Sequence, residues 1–139
     1  MAPIFSTAGL SLNTEPVLGA DATVAKAQAT GQQWILVVSD GKPLGWVQPD
    51  KLGQYPGDTP LAQARTEPVG HTFTVGTDSL RAALDAAVLS PAGQAVGVDG
   101  DGQVRGVATF DRLRDAVQAA QAAADADAGL ATTQSGAPA

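Results

Sequence analysis

The sequence contains no cysteine. Disulfides, thiolate metal sites and cysteine nucleophiles are therefore excluded. A single histidine, His71, lies in an extended stretch with no Ser-His-Asp pattern around it and reads as a surface loop residue. Aromatic residues make up only 4% of the chain, so the core has to be assembled from Val, Leu, Ile and Ala. Basic residues are sparse, 8 against 14 acidic, giving a net charge of −6. Arg112 and Arg114 form the densest basic cluster, and Asp111 and Asp115 interleave with them, which argues against nucleic acid or an anionic membrane surface as a direct partner. No apolar run approaches the length of a membrane span. The opening MAPIFSTAGLSL lacks both a basic start and a long apolar stretch and does not read as a signal peptide. There is also no G-x-x-x-x-G-K-[ST] phosphate loop. With neither a nucleophile–base pair nor a metal cluster in evidence, no enzymatic activity is expected.

Hydrophobic residues, by contrast, make up 44% of the 139, enough for one compact domain or two small fused modules. The chain also repeats itself. WILVVSDGKPLGWVQPDKL, from Trp34, and QAVGVDGDGQVRGVATFDRL, from Gln94, share one plan: an apolar run, an Asp/Gly turn, a second apolar run with a glycine, and a charged helix opening. Gly45 matches Gly106, Asp50 matches Asp111 and Leu52 matches Leu113, each 61 residues further on. Self-similarity at a fixed offset signals a duplicated structural unit, and a cleft between two such units is a natural ligand site.

Residues 1–14 are weakly patterned and read as a linker or disordered lead-in. Glu15 to Gly19 suits a short strand. Asp21 is placed to cap a helix that carries Val24, Ala27 and Gln28 and stops at Gly31. Trp34 to Val38 reads as a buried strand, Asp40-Gly41 as a hairpin turn and Leu44 to Val47 as the return strand. Pro49 suits the start of a short helix over Asp50 to Gln54. Residues 55–70 form the connector, with room for a short helix around Pro60 to Ala64. The second half repeats the order. His71 to Gly76 is extended, and Asp78 or Thr77 caps a helix over Ser79 to Leu89. Its apolar stripe is Leu80, Ala83, Leu84, Ala87 and Val88. Strands follow at Ala95 to Val98 and Val104 to Thr109, joined by Gly100-Asp101-Gly102. Phe110 to about Ala128 reads as a long Ala-rich helix with Leu113, Val117 and Ala120 inward. Residues 129–139 are small and polar and predict a disordered tail. The fold class is α+β: two pseudo-symmetric β-α-β-β-α halves with small sheets packed on helices.

With its two copies in register, the stretch from Glu15 to Ala120 resembles the CBS domain, which occurs in tandem pairs. The resemblance is carried by GWVQPDKL, Gly45 to Leu52, and GVATFDRL, Gly106 to Leu113, against the family pattern G-h-h-T/S-x-x-D, where h is apolar. It implies a first CBS motif over 15–54 and a second over 71–128. A closer likeness, carried by KPLGWV and TDSLRAALDAAVLSP, is to the C-terminal CBS pair of ATP-binding subunits of osmoprotectant ABC importers, which take up glycine betaine, proline, choline or carnitine.

The resemblance implies a nucleotide site in which the Thr or Ser of the motif contacts phosphate and the Asp holds ribose hydroxyls. Thr109 matches the hydroxyl position, but Arg112 stands at the Asp position and Asp111 comes one residue early. In the first half Gln48 and Lys51 occupy the two positions. Thr74 and Val75, in the extended segment of the second half, complete the ligand-binding set that the resemblance implies. Arg112 and Lys51 depart from that pattern and favour anionic groups over a ribose diol; the effector the resemblance implies is an adenine nucleotide or cyclic di-AMP, with no metal or resident cofactor. The alternative role for these cations is pairing with Asp50, Asp111 or Asp115 on a solvated face. Thr109 can equally serve as a helix cap, and Trp34 and Trp46 as an adenine stack or as core. The implied partners are a second copy, joined through the CBS helices, and the ATPase domain and permease of the importer. The implied location is cytoplasmic, peripheral at the inner face of the membrane. Sensing of ionic strength, or a purely structural homodimerisation role with vestigial pockets, are the other readings.

Overall fold

The computed structural model describes residues 6–136, with side chains described through residue 126. Two three-stranded sheets carry the repeat. In the first half, β1 (Val17–Gly19) runs parallel to β2 (Ile35–Ser39), which pairs antiparallel with β3 (Lys42–Val47). In the second, β4 (Thr72–Thr74), β5 (Gln94–Val98) and β6 (Val104–Thr109) repeat that order and sense. Each sheet has a register shift at one place: after Val37, which faces Gly45, and after Gly97, which faces Gly106. The first hairpin turns at Asp40 (φ 50°) and Gly41 (φ 78°). Positive φ at both central residues matches the right-handed twist of the flanking strands.

The crossover from β1 to β2 carries α1 (Val24–Ala29), and that from β4 to β5 carries α2 (Leu80–Val88). The caps are Thr23 and Ser79, whose hydroxyls accept from the Lys26 N–H at 3.2 Å and the Ala82 N–H at 3.1 Å. This corrects the expectation of Asp21 and of Asp78 or Thr77. The Asp78 carboxylate is engaged elsewhere, accepting from the Thr74 N–H at 2.7 Å. The stripe of α2 is corrected at one position: Val88 is 62% exposed and Ala86 is buried in its place. The first half closes on a 3₁₀ turn, Pro49–Lys51, shorter than the expected Asp50 to Gln54 helix, and a second 3₁₀ turn, Leu61–Gln63, lies in the connector. The second half closes on α3 (Phe110–Gly136). Its backbone thus continues as helix into the region where composition predicts a disordered tail. The expectations for residues 1–5 and 137–139 lie outside the described residues.

Three apolar clusters hold this arrangement. Val24, Ile35, Val37, Leu52 and Leu61 fill the first half, and Phe73, Ala83, Ala95 and Leu113 fill the second. The third cluster, Leu36, Trp46, Val96, Val98 and Val107, lies between the sheets. Along β2, Ile35 and Val37 enter the first cluster while Leu36 and Val38 face the third, because successive strand residues point to opposite faces. Trp46 is fully buried here, edge-on to Trp34 with ring centroids 6.4 Å apart, so the pair serves as core.

The halves also exchange segments. Asn13, which precedes the first half, pairs with Val107 in β6 of the second through N–H···O bonds of 2.8 and 2.9 Å. Glu67, which precedes the second half, pairs with Trp46 in β3 of the first through bonds of 2.9 and 2.7 Å. At the tips, the Val104 N–H donates to Gly41 O at 2.8 Å and the Lys42 ammonium donates to Asp101 O. Residues 6–13, expected to be a loose lead-in, are thereby fixed. Thr7 is fully buried on the turn after β4, and Leu10 and Leu12 pack on the second core.

Candidate functional site

β6 ends at Thr109 and passes directly into α3. The Thr109 hydroxyl accepts from the Arg112 backbone N–H at 3.2 Å, satisfying one of the first-turn donors that have no intrahelical partner. Its capping role is therefore realised. Arg112 follows on the exposed side of the first turn. Positions 112, 115, 116, 119, 120 and 123 of α3 fall at helical spacing along one wall of a groove of about 920 Å³, so the Asp115 carboxylate lines it as well as Arg112. Ser6 and residues 8–11 form the other wall, and Leu80, at the start of α2, closes one side.

The charges are distributed unevenly along α3. Arg114 pairs with Asp111 at 3.5 Å and with Asp115 at 3.6 Å. In the alternative reading Arg112 pairs with these carboxylates; Arg114 takes that place, and no ion pair of Arg112 occurs among the described residues. Arg112 lines the groove together with Asp115, which Arg114 holds at 3.6 Å, whereas Asp111 does not line it. A guanidinium outside any ion pair can take a phosphate or carboxylate through two parallel N–H donors.

The equivalent place in the first half is a smaller groove of about 230 Å³, lined by Gln48, Lys51, Tyr55, Arg65 and Glu67 among others. Gln48 makes no capping bond, whereas the Thr109 hydroxyl accepts one and keeps its own O–H to donate. The Tyr55 hydroxyl accepts from the Arg65 N–H at 2.9 Å, fixing the connector against this groove. Repeat-related positions thus line a groove in both halves, with Lys51 four residues after the end of β3 and Arg112 three residues after the end of β6.

Thr74 and Val75 are not brought to the Arg112 groove. The Val75 N–H donates to Val98 O at 2.8 Å, and the turn beyond it is covered by Thr7. The Thr7 hydroxyl donates to Asp78 O at 2.8 Å and accepts from the Gly76 N–H at 2.9 Å. Sequence reasoning missed Thr7, Ser11, Tyr55 and Arg65; nothing local marks the first two, whose partners are far along the chain. Away from both grooves, the Gln103 backbone N–H holds the Asp99 carboxyl below its ordinary value, helped by the Asp101 N–H and by Arg105 and Lys42. No cluster of three His, Asp or Glu side chains suited to a metal ion occurs among the described residues. Nor is any helix among them long and apolar enough to cross a membrane.

No protein-family model and no curated protein matches the sequence. Solved structures do match in fold. The cystathionine beta-synthase pair domain of a protein named as a Mg2+ transporter of Shewanella oneidensis MR-1 superposes with a TM-score of 0.59 at 24% identity, covering 73% of this chain and 63% of that one. This chain therefore spans less than two thirds of that relative's length. Staphylococcus aureus OpuCA gives 0.56 at 17% identity over 73% of this chain and 91% of its own. The CBS-pair protein CBSX2 of Arabidopsis thaliana gives 0.59 at 17% over 86% and 96%. With its duplicated β-α-β-β plan, exchanged lead-ins and paired sheets, the chain has the fold of a tandem CBS domain pair.

Proposed function

We propose that this chain is a non-catalytic regulatory CBS pair, and that its second-half groove takes an anionic effector through Arg112 and Thr109. The observation that carries this reading is the exposed Arg112, in no ion pair among the described residues, lining the larger groove whose one carboxylate, Asp115, is paired with Arg114. An adenine nucleotide or cyclic di-AMP fits the chemistry, with Gln48 and Lys51 offering a second, smaller anion site in the first half. Asp111, Thr74 and Val75 shape the surroundings rather than contact the effector.

The KPLGWV phrase, whose Gly45 and Trp46 are both buried, supports a place on the ATP-binding subunit of an osmoprotectant ABC importer. The fold likeness to the pair domain of a Mg2+ transporter is in keeping with control of transport. In that setting the module is cytoplasmic, peripheral to the membrane, and contacts the ATPase domain and permease. A second reading, homodimerisation without a ligand, draws on Val88 and Leu89, which are 62% and 61% exposed side by side at the end of α2.

The test is a thermal-shift series with AMP, ADP, ATP, cyclic di-AMP and salt, because a ligand bound only by the native state raises Tm. A saturable shift lost in Arg112→Ala supports the effector reading. A salt-dependent shift without any nucleotide effect favours ionic-strength sensing. No shift in any arm, with a stable dimer by light scattering, favours the structural role.

A further inference from the structure

The segment 6–13 has two faces. Ser6 and residues 8–11 wall the groove, and Thr7 turns the other way onto the turn Thr74–Asp78. Thr7 is also the one fully buried polar side chain among the described residues. The Thr7 N–H donates to Asp78 O at 3.3 Å, and the Thr7 hydroxyl satisfies the Gly76 N–H, which the positive φ of Gly76 (83°) presents to it. At the far end, Asn13 is fastened by its two backbone bonds to Val107. Between these points Ala8, Gly9 and Ser11 are exposed and only Leu10 and Leu12 pack inward. Such a strap, pinned at its ends and thin in buried contacts, belongs to the low-stability end of a fold, where opening occurs without global unfolding.

We propose that this strap is the moving wall of the effector groove: Thr7 latches it, and its docking and the occupancy of the groove reinforce each other. The proposal rests on the effector reading above. A ligand held by Arg112 on α3 lies against residues 8–11 only when the strap is docked. Its binding free energy then includes that docking, and by linkage each event strengthens the other by the same factor. Thr7 acts here as a positioning residue without touching the ligand.

Hydrogen exchange of the Gly76, Asn13 and Val107 amides tests this, using the protein as it stands, Thr7→Val and Thr7→Ser, with ATP and cyclic di-AMP as probes. Thr7→Val keeps the shape but leaves the Gly76 N–H without its partner, so all three amides should exchange about tenfold faster or more. The amides of Val37 and Val96 in the two sheets should be unchanged, and Thr7→Ser should restore the slow rates. Faster exchange at Gly76 alone, or no change, overturns the latch. A nucleotide that raises Tm should slow the three amides in the parent protein and bind about tenfold more weakly to Thr7→Val. If it binds but leaves these amides and its Thr7→Val affinity unaltered, the coupling fails while the effector reading stands. If neither probe binds, both the reading and the coupling fail, and the Thr7→Val arm still decides the latch.

Discussion

Gly106→Ala should be among the most damaging single-methyl changes in this protein. The exchanged lead-in crosses β6 at this residue, where a Cβ would lie 2.8 Å from Leu12 Cβ and 3.1 Å from Asn13 O. Forcing a methyl into so tight a contact costs about 1–3 kcal/mol. The backbone adds a second cost, because φ at Gly106 is 146°, a region that L side chains rarely adopt, worth about 1–3 kcal/mol. Restricting the unfolded chain returns about 0.4–1 kcal/mol. The net is a loss of roughly 1–5 kcal/mol, and a loss near the middle of that range lowers Tm by about 10 °C for a domain of this size. Its repeat mate Gly45 meets the other lead-in, with a Cβ 2.6 Å from Thr66 Cβ and 2.9 Å from Glu67 O, but carries no positive φ. Gly45→Ala should therefore cost less, about 1–2 kcal/mol. Gly53→Ala, with nothing within 4 Å, is the control and should change stability by no more than about 0.5 kcal/mol. Urea unfolding of the three variants decides. If Gly106→Ala falls within about 0.5 kcal/mol of Gly53→Ala, the close crossing of the exchanged segments is refuted.

Leu113→Ala empties a fully buried site where α3 meets the second core, and should cost about 2–5 kcal/mol by the same unfolding assay; Val88→Ala, at an exposed position, should cost under about 0.5 kcal/mol unless a second copy covers it. Thr109→Val removes the cap bond to the Arg112 N–H and should destabilise the start of α3 by about 1 kcal/mol, read from amide exchange over residues 110–113. Asp99 should titrate below an ordinary aspartate in carboxyl NMR, since the Gln103 N–H favours its ionised form in the folded protein. Because the folded pKa is the lower of the two, the stabilisation is present above the unfolded pKa and lost as pH falls through the folded one. Asp99→Asn should abolish that part of the acid sensitivity.

Much of the fold is legible in the sequence because its signals are local. The Asp40-Gly41 turn, the apolar runs at 35–38 and 95–98 and the stop at Gly31 each depend on neighbours a few positions away. The matched glycines 45 and 106 mark the repeat, but the reason for them, a foreign segment passing overhead, depends on residues 13 and 67 and is invisible in any local window. The caps illustrate a finer limit. Asp21 and Thr23, or Asp78 and Ser79, are equally able acceptors, and the choice at Asp78 is settled by the Thr74 N–H already claiming its carboxylate. At the site, the register of the repeat places Gln48, Lys51, Thr109 and Arg112 at equivalent openings. It cannot show that Arg114 draws off Asp111 and Asp115, nor that Thr7 covers the turn beside Val75.

The exchange of lead-ins also fixes when this protein can finish folding. The strand mate of Asn13 is Val107, so the start of the chain has to wait until most of the remainder has left the ribosome. Contacts of such long sequence separation slow folding, because the loop entropy is spent before the contact forms. The same wiring means that the connector is not a clean place to divide the molecule. A fragment ending near Gly70 keeps the Trp46–Glu67 pairing yet leaves Asn13 without its partner, while the complementary fragment exposes the edge of β6. Each piece is left with what the other needs, so the two fragments, mixed, should find one another and reconstitute the pair.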